Sequence, residues 1–143
     1  VSIPDLQFEV FGDPRPQGSK RGFVAGGRVN VVDDNRPALR NWRTDVVAVC
    51  SDALTDAGWP AEPPREQPYG VHLTFRLRRP KSTRRVWPAV KPDVDKLARG
   101  VLDALRTAGC YRDDAQVVRL VADKEYAERP GVHVRVYTYE KGH

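Results

Sequence analysis

Two hydrophobic rhythms alternate along this chain, and together they restrict its architecture more than any other feature. Leu6 to Phe11 (LQFEVF), Val71 to Arg79 (VHLTFRLRR) and Gly131 to Glu140 (GVHVRVYTYE) carry apolar residues at every second position. Successive side chains of a strand point to opposite faces, so this rhythm predicts half-buried strands. In the second of them Val71, Leu73, Phe75 and Leu77 would face a core and His72, Thr74, Arg76 and Arg78 the other side. A single histidine in such a series reads as a surface or hydrogen-bonded residue. Between Pro37 and Ala57 the rhythm changes: Leu39, Trp42, Val46, Val47, Val49, Cys50, Ala53 and Leu54 recur at helical spacing, predicting a long amphipathic helix that ends near Gly58. A second helix, from Asp93 or Asp95 to about Thr107, would bury Leu97, Ala98, Val101, Leu102 and Leu105 and stop at Gly109.

The remaining segments fit around these. Gly26-Gly27 between apolar flanks predicts a short hairpin within Val24 to Val32, because paired glycines supply the positive φ of tight turns. Trp59 to Gly70 holds four prolines and reads as a surface connection. Ala115 to Asp123 (AQVVRLVAD) predicts a strand, with a turn at Pro130-Gly131 before the last one. Strands interleaved with helices point to an α+β fold, a single compact domain over residues 1–143 with a mixed β-sheet packed against two main helices. A chain of 143 residues can bury such a core without disulfide or metal staples.

Charge narrows the partners. The net charge of +5 and pI near 9.5 favour polyanions. Between Gln67 and Pro92 there is no acidic residue, whereas Arg76, Arg78, Arg79, Lys81, Arg84, Arg85 and Lys91 all fall there with Trp87 among them. A solvated charged loop would account for that run as well as a phosphate-contacting surface would. The segment DPRPQGSKR, from Asp13 to Arg21, is a second basic loop, contributing Arg15, Lys20 and Arg21. Cys50 and Cys110 lack metal-ligand spacing and are expected to be reduced thiols. With no basic-then-apolar opening and no apolar stretch of about 20 residues, a soluble protein of the cell interior is expected, away from membranes.

The acidic residues are concentrated differently. Lys91 to Val118 (KPDVDKLARGVLDALRTAGCYRDDAQVV) sets Asp93 and Asp95 just before the second helix and Asp113 and Asp114 beyond its end. An aspartate at a helix N-terminus has an ordinary use, capping free N–H groups and opposing the helix dipole. Capping needs one carboxylate, not two followed by a second pair. Carboxylates gathered this way suit a hard cation such as Mg²⁺, which takes one or two of them and leaves room for water and a phosphate.

The complete run resembles the RusA family of Holliday junction resolvases of bacteria, phages and prophages. The shared pattern is a D-x-D pair, a basic residue four positions later, an L-D-A-L core and D-D-x-Q-V-V, here Asp93, Asp95, Arg99, Leu102 to Leu105 and Asp113 to Val118. An N-terminal strand, the basic PRPQGSKR loop and a helix opening near PALRNWR agree more loosely. The resemblance implies a RusA-like fold and a homodimeric endonuclease, dependent on Mg²⁺ or Mn²⁺, that makes paired nicks in four-way DNA junctions, leaving 5′-phosphates and 3′-hydroxyls. It implies Asp93, Asp95 and Asp114 as catalytic metal ligands, Asp113 in support, and Arg99 as the basic catalytic residue. Lys20, Arg21, Arg78, Arg79, Lys81, Arg84, Arg85, Lys91 and Lys96 would contact DNA, and the protein would work in the bacterial cytoplasm. Family members typically carry lysine where this chain has Arg99. A guanidinium engages two phosphate oxygens but does not exchange its proton near neutral pH. Three alternatives stay open on sequence: a junction-binding protein that does not cut, a flap or fork nuclease of the same family, and a basic structural domain whose aspartates only cap helices and turns.

Overall fold

Alternating strands bury one face each, and the first consequence is a four-stranded sheet. The computed structural model describes residues 2–18, 21–25, 28–32 and 37–140, with the backbone alone for 21–25 and 28–32. Strand β1 is Leu6–Phe11, β2 Arg21–Ala25, β3 Arg28–Val32, β4 Tyr69–Arg78, β5 Val117–Ala127 and β6 Gly131–Thr138; helix α1 is Pro37–Ala57 and α2 Val94–Ala108. The main sheet runs β1-β6-β4-β5. β6 is antiparallel to both β1 and β4, whereas β4 and β5 are parallel. A parallel pair needs a crossover connection, and α2 supplies it. Among the described residues β2 and β3 pair with each other alone, in the hairpin register expected around Gly26-Gly27, a turn that lies outside the described residues.

Both helices cover one face of the sheet. Leu39, Trp42, Val46, Cys50 and Leu54 of α1 and Leu97, Ala98, Val101, Ala104 and Leu105 of α2 are buried against Leu6, Phe8 and Val10 of β1, Val71, Leu73 and Phe75 of β4, and Val132, Val134 and Val136 of β6. This is the α+β domain that the two rhythms predicted. Cys50 and Cys110, distant in sequence, meet in this core as free thiols, and their contact together with burial pushes the Cys110 thiol well above its ordinary range. The Cys110 thiol stays protonated, and both buried cysteines behave as small apolar groups. Among the described residues no helix is long and apolar enough to cross a membrane.

The sheet's opposite face is polar and closes on itself. Arg76 on β4 binds Glu125 of β5 at 3.1 Å and Glu9 of β1 at 3.2 Å, His72 lies 3.5 Å from Asp123, and Arg135 of β6 pairs with Asp5 at 2.8 Å while covering the Tyr137 ring. Arg76 and Arg135 on this face therefore have carboxylate partners within the chain, and Arg135 an aromatic one as well. One strand departs from the sequence expectation: β5 begins two residues later than Ala115 and runs four beyond Asp123. Its first residues are taken by a 3-10 turn, Asp114–Gln116, and its last, Lys124–Ala127, follow β4 in register without alternating in polarity.

Candidate active site

Helix α2 carries the site because its sequence gives it two unlike faces. Residues 97, 98, 101, 104 and 105 enter the core. Asp95, Arg99, Asp103 and Arg106, at intervals of four, four and three, then share the opposite stripe. The helix starts at Asp93, whose backbone is extended and whose side chain makes no capping bond. Instead Asp93 lies 3.7 Å from Lys96. A carboxylate at a helix N-terminus that does not cap leaves its oxygens available for something else. Gly109 ends the helix at φ +98°, a left-handed conformation that glycine reaches without strain.

The chain entering α2 is held from the sheet. Lys124 of β5 donates from Nζ to the carbonyls of Val90, at 2.8 Å, and Pro92, at 2.9 Å. That bridge fixes the segment immediately before Asp93. The basic loop after β1 docks on the same side of the helix: Gln17 N–H donates to the Lys96 carbonyl at 3.0 Å, and the Gln17 side-chain amide donates to Asp103. Arg15, Lys91, Lys96 and Asp93 consequently line one cleft of about 480 Å³ with Pro14, Pro16, Gly18 and Pro92. Three cations around one carboxylate suit a phosphate held beside an oxygen able to take a cation.

The second aspartate pair is presented by a turn held in place by a set of hydrogen bonds. Asp113 caps the 3-10 turn, accepting from Ala115 N–H at 2.8 Å. Buried Gln116 accepts from Arg112 N–H at 2.9 Å and Asp113 N–H at 3.1 Å, and donates to the carbonyls of Pro64 at 2.9 Å and Gln67 at 3.0 Å. Arg112 donates to the Pro63 carbonyl at 3.0 Å, and the Tyr111 hydroxyl to the Leu102 carbonyl at 2.9 Å. The D-D-x-Q spacing is thus a capping box that pins the turn to the proline-rich connection. It directs Asp113 to its own backbone and Asp114 toward α2.

Asp114 meets Asp103 there, with Arg106 at 3.9 Å from Asp114 and 4.0 Å from Asp103. Desolvation and the contact with Asp103 raise the Asp114 carboxyl above its ordinary range, and Arg106 only partly opposes them. Asp114 Oδ1 is buried without a hydrogen-bond partner. A carboxylate oxygen in that condition, facing a second carboxylate, is one that a cation would relieve. Asp103 and Gln17 were not singled out from sequence, although the four- and eight-residue spacing from Arg99 and Asp95 places Asp103 on the acidic stripe.

Among the described residues no three acidic, histidine or cysteine side chains come together tightly enough to share one ion. About 12 Å of helix axis separates Asp95 from Asp103. The D-x-D pair and Asp114 therefore stand along one edge of α2, toward its two ends. Arg99 lies exposed between them. Arg78, Arg79, Lys81, Arg84, Arg85, Lys91 and Lys96 are all exposed. Arg79 covers the Tyr126 ring at 5.6 Å and Arg85 binds Thr83 at 2.8 Å. Lys20 lies outside the described residues, and for Arg21 only the backbone is described.

The family model described as endodeoxyribonuclease RusA matches residues 8–137, from the first strand to the last. This chain belongs to the RusA family. A Bacillus subtilis (strain 168) protein, named only as uncharacterized protein YqaN, is 30% identical over 138 residues, covering 92% of this chain and 94% of its own length. The match extends far beyond the acidic run and takes in β1, both helices and β6. As a RusA endodeoxyribonuclease the protein cleaves DNA, and its family acts on branched DNA.

Proposed function

We propose that this RusA-family enzyme resolves four-way DNA junctions by paired nicks, as a homodimer with Mg²⁺ as its cofactor and Mn²⁺ able to replace it, in the bacterial cytoplasm. The observation that carries the reading is the stripe along α2, which aligns the D-x-D pair, Arg99 and an Asp114 oxygen that lacks a hydrogen bond, with a cleft lined by Arg15, Lys91 and Lys96 at its Asp93 end. Asp93 and Asp95 at one end of the stripe and Asp114 at the other would hold cations, which when bound would activate water and polarise the phosphate. Asp103 lies against Asp114 and shares Arg106 with it. Asp113 supports the turn through its cap.

The cations divide the remaining work. Arg15, Lys91 and Lys96 position the scissile phosphate over Asp93, and Arg78, Arg79, Lys81, Arg84 and Arg85 follow the backbone of a DNA arm, with Lys20 and Arg21 on the second basic loop. Arg99 engages phosphate oxygens as a fixed charge and leaves proton transfer to water. In a homodimer two such sites would face the opposed strands of a two-fold junction.

Cleavage of a labelled four-way junction, with flaps and forks as comparison substrates, tests this. Asp93→Asn, Asp95→Asn and Asp114→Asn are each expected to lower the rate about a hundredfold or more while junction affinity in EDTA is retained. Wild-type cleavage by Asp93→Asn and Asp114→Asn would sink the assignment. Preference for flaps or forks over the junction would redirect the substrate within the family, and binding without Mg²⁺-dependent cutting would leave a junction-binding protein.

A further inference from the structure

Every strand of the main sheet except one buries residues in the core. β5, eleven residues long, buries none. It is the sheet's edge, hydrogen-bonded to β4 alone among the described strands. Val118 is 57% exposed and Leu120 44% exposed, so apolar side chains accompany the free backbone edge. A long edge of this kind pairs with other strands unless a proline, a bulge or an inward charge prevents it. β5 contains no proline, its irregularity against β4 falls at its first residues, opposite Tyr69 and Gly70, and its one charge on the helix-covered face, Lys124, is taken up by the carbonyls of Val90 and Pro92 in its own chain.

The order of charges on β5 selects the partner. Register with β4 places Arg119, Val121, Asp123 and Glu125 on the polar face of the sheet and Leu120, Ala122 and Lys124 on the helix-covered face. Adjacent strands related by a two-fold axis perpendicular to the sheet run antiparallel and keep their faces. With the axis at Val121, Arg119 of each copy stands opposite Asp123 of the other, Leu120 opposite Ala122, and Val121 opposite itself. Shifting the axis to Leu120 or Ala122 sets Val117 or Val121 against Asp123. The Ala122 register also pairs Arg119 with Glu125 but sets Leu120 against Lys124, so the Val121 register alone among these three pairs Arg119 with Asp123 and keeps apolar residues together at the centre.

We propose that β5 is the dimerisation edge, pairing antiparallel with β5 of a second copy about Val121 to form a continuous eight-stranded sheet. The proposal rests on the homodimeric reading above and specifies its surface. Asp123 contacts His72 in its own chain at 3.5 Å, and its side chain stays 65% exposed, leaving the Asp123 carboxylate within reach of a neighbour. The acidic stripe of α2 uses neither Arg119 nor Asp123, so the two can be exchanged without altering the cleavage residues.

Analytical ultracentrifugation of four proteins tests the edge: the native chain, Arg119→Asp, Asp123→Arg, and the double variant carrying both changes. Each single reversal sets like charges opposite one another twice and is expected to raise the dimer dissociation constant roughly tenfold or more. The double reversal restores opposite charges and is expected to return the constant to near the native value, a rescue that misfolding of the single variants would not produce. Native-like dimers from both single variants would overturn β5 as the interface while leaving the homodimer standing. A native chain that stays monomeric at tens of micromolar and on junction DNA would overturn the homodimer itself.

Discussion

At the scale of single residues, Asp114 carries a carboxylate whose ionised form the fold disfavours. Burial and Asp103 raise its carboxyl, so the folded chain binds a proton more tightly there than the unfolded chain does. Below the ordinary carboxylate range both states are protonated and nothing is lost. As pH rises through that range and then through the raised value, the folded state must give up a favoured proton, and stability falls. In EDTA near pH 8, Asp114→Asn should therefore be more stable than the native protein, by at most about 1 kcal/mol because the side chain is partly exposed and screened. The difference should vanish below about pH 4. Adding Mg²⁺ should raise the urea midpoint of the native protein more than that of Asp114→Asn. Equal stabilisation of both by Mg²⁺ would show that Asp114 does not hold the ion. Of this arrangement the sequence displayed the aspartate and its spacing. It did not display Asp103 as its neighbour, because that contact depends on how far the 112–116 turn folds back along α2.

At the scale of elements, the acidic stripe is positioned by two tethers from outside α2. Gln116 anchors the turn that presents Asp114, and Lys124 anchors the segment that presents Asp93. Lys124→Met keeps the aliphatic stem but removes two charged hydrogen bonds to carbonyls, with an expected stability cost of about 1–2 kcal/mol. The functional effect should exceed that cost. Residues that orient metal ligands typically contribute 10- to 100-fold, so a rise of about tenfold in the Mg²⁺ concentration for half-maximal cleavage is expected, with junction affinity in EDTA unchanged. An unaltered Mg²⁺ dependence would make Lys124 a structural brace only. These tethers also mark where sequence reading stops. Periodicity identified α1, α2, β1, β4 and β6, because each buries one face against the other layer. It misjudged the limits of β5, whose residues are all partly or fully exposed, since an edge strand with no buried face carries no rhythm to read. Lys124 was unremarkable for the same reason: its role lies in reaching carbonyls more than thirty residues away.

At the scale of the whole molecule, the net charge of +5 is distributed unevenly, and the distribution separates binding from stability. Arg76 and Arg135 on the polar face of the sheet are committed to Glu9, Glu125 and Asp5. Arg78, Arg79, Lys81, Arg84 and Arg85 project from the end of β4 and the segment after it, which has no acidic residue of its own before Asp93. Each phosphate neutralised by a protein cation releases counterions and contributes about 0.9 to the slope of log affinity against log salt. Replacing those five with Gln should therefore flatten the slope for junction binding by up to about 4.5, read by fluorescence anisotropy across a salt series. Replacing Arg76 and Arg135 should leave the slope unchanged while lowering the unfolding midpoint, because their charge is already neutralised within the chain. The converse result, a slope set by Arg76 and Arg135, would move the DNA from the α2 side to the open face of the sheet. That outcome would also detach the basic segment from the cleft at Asp93, and with it the reason for placing the scissile phosphate there.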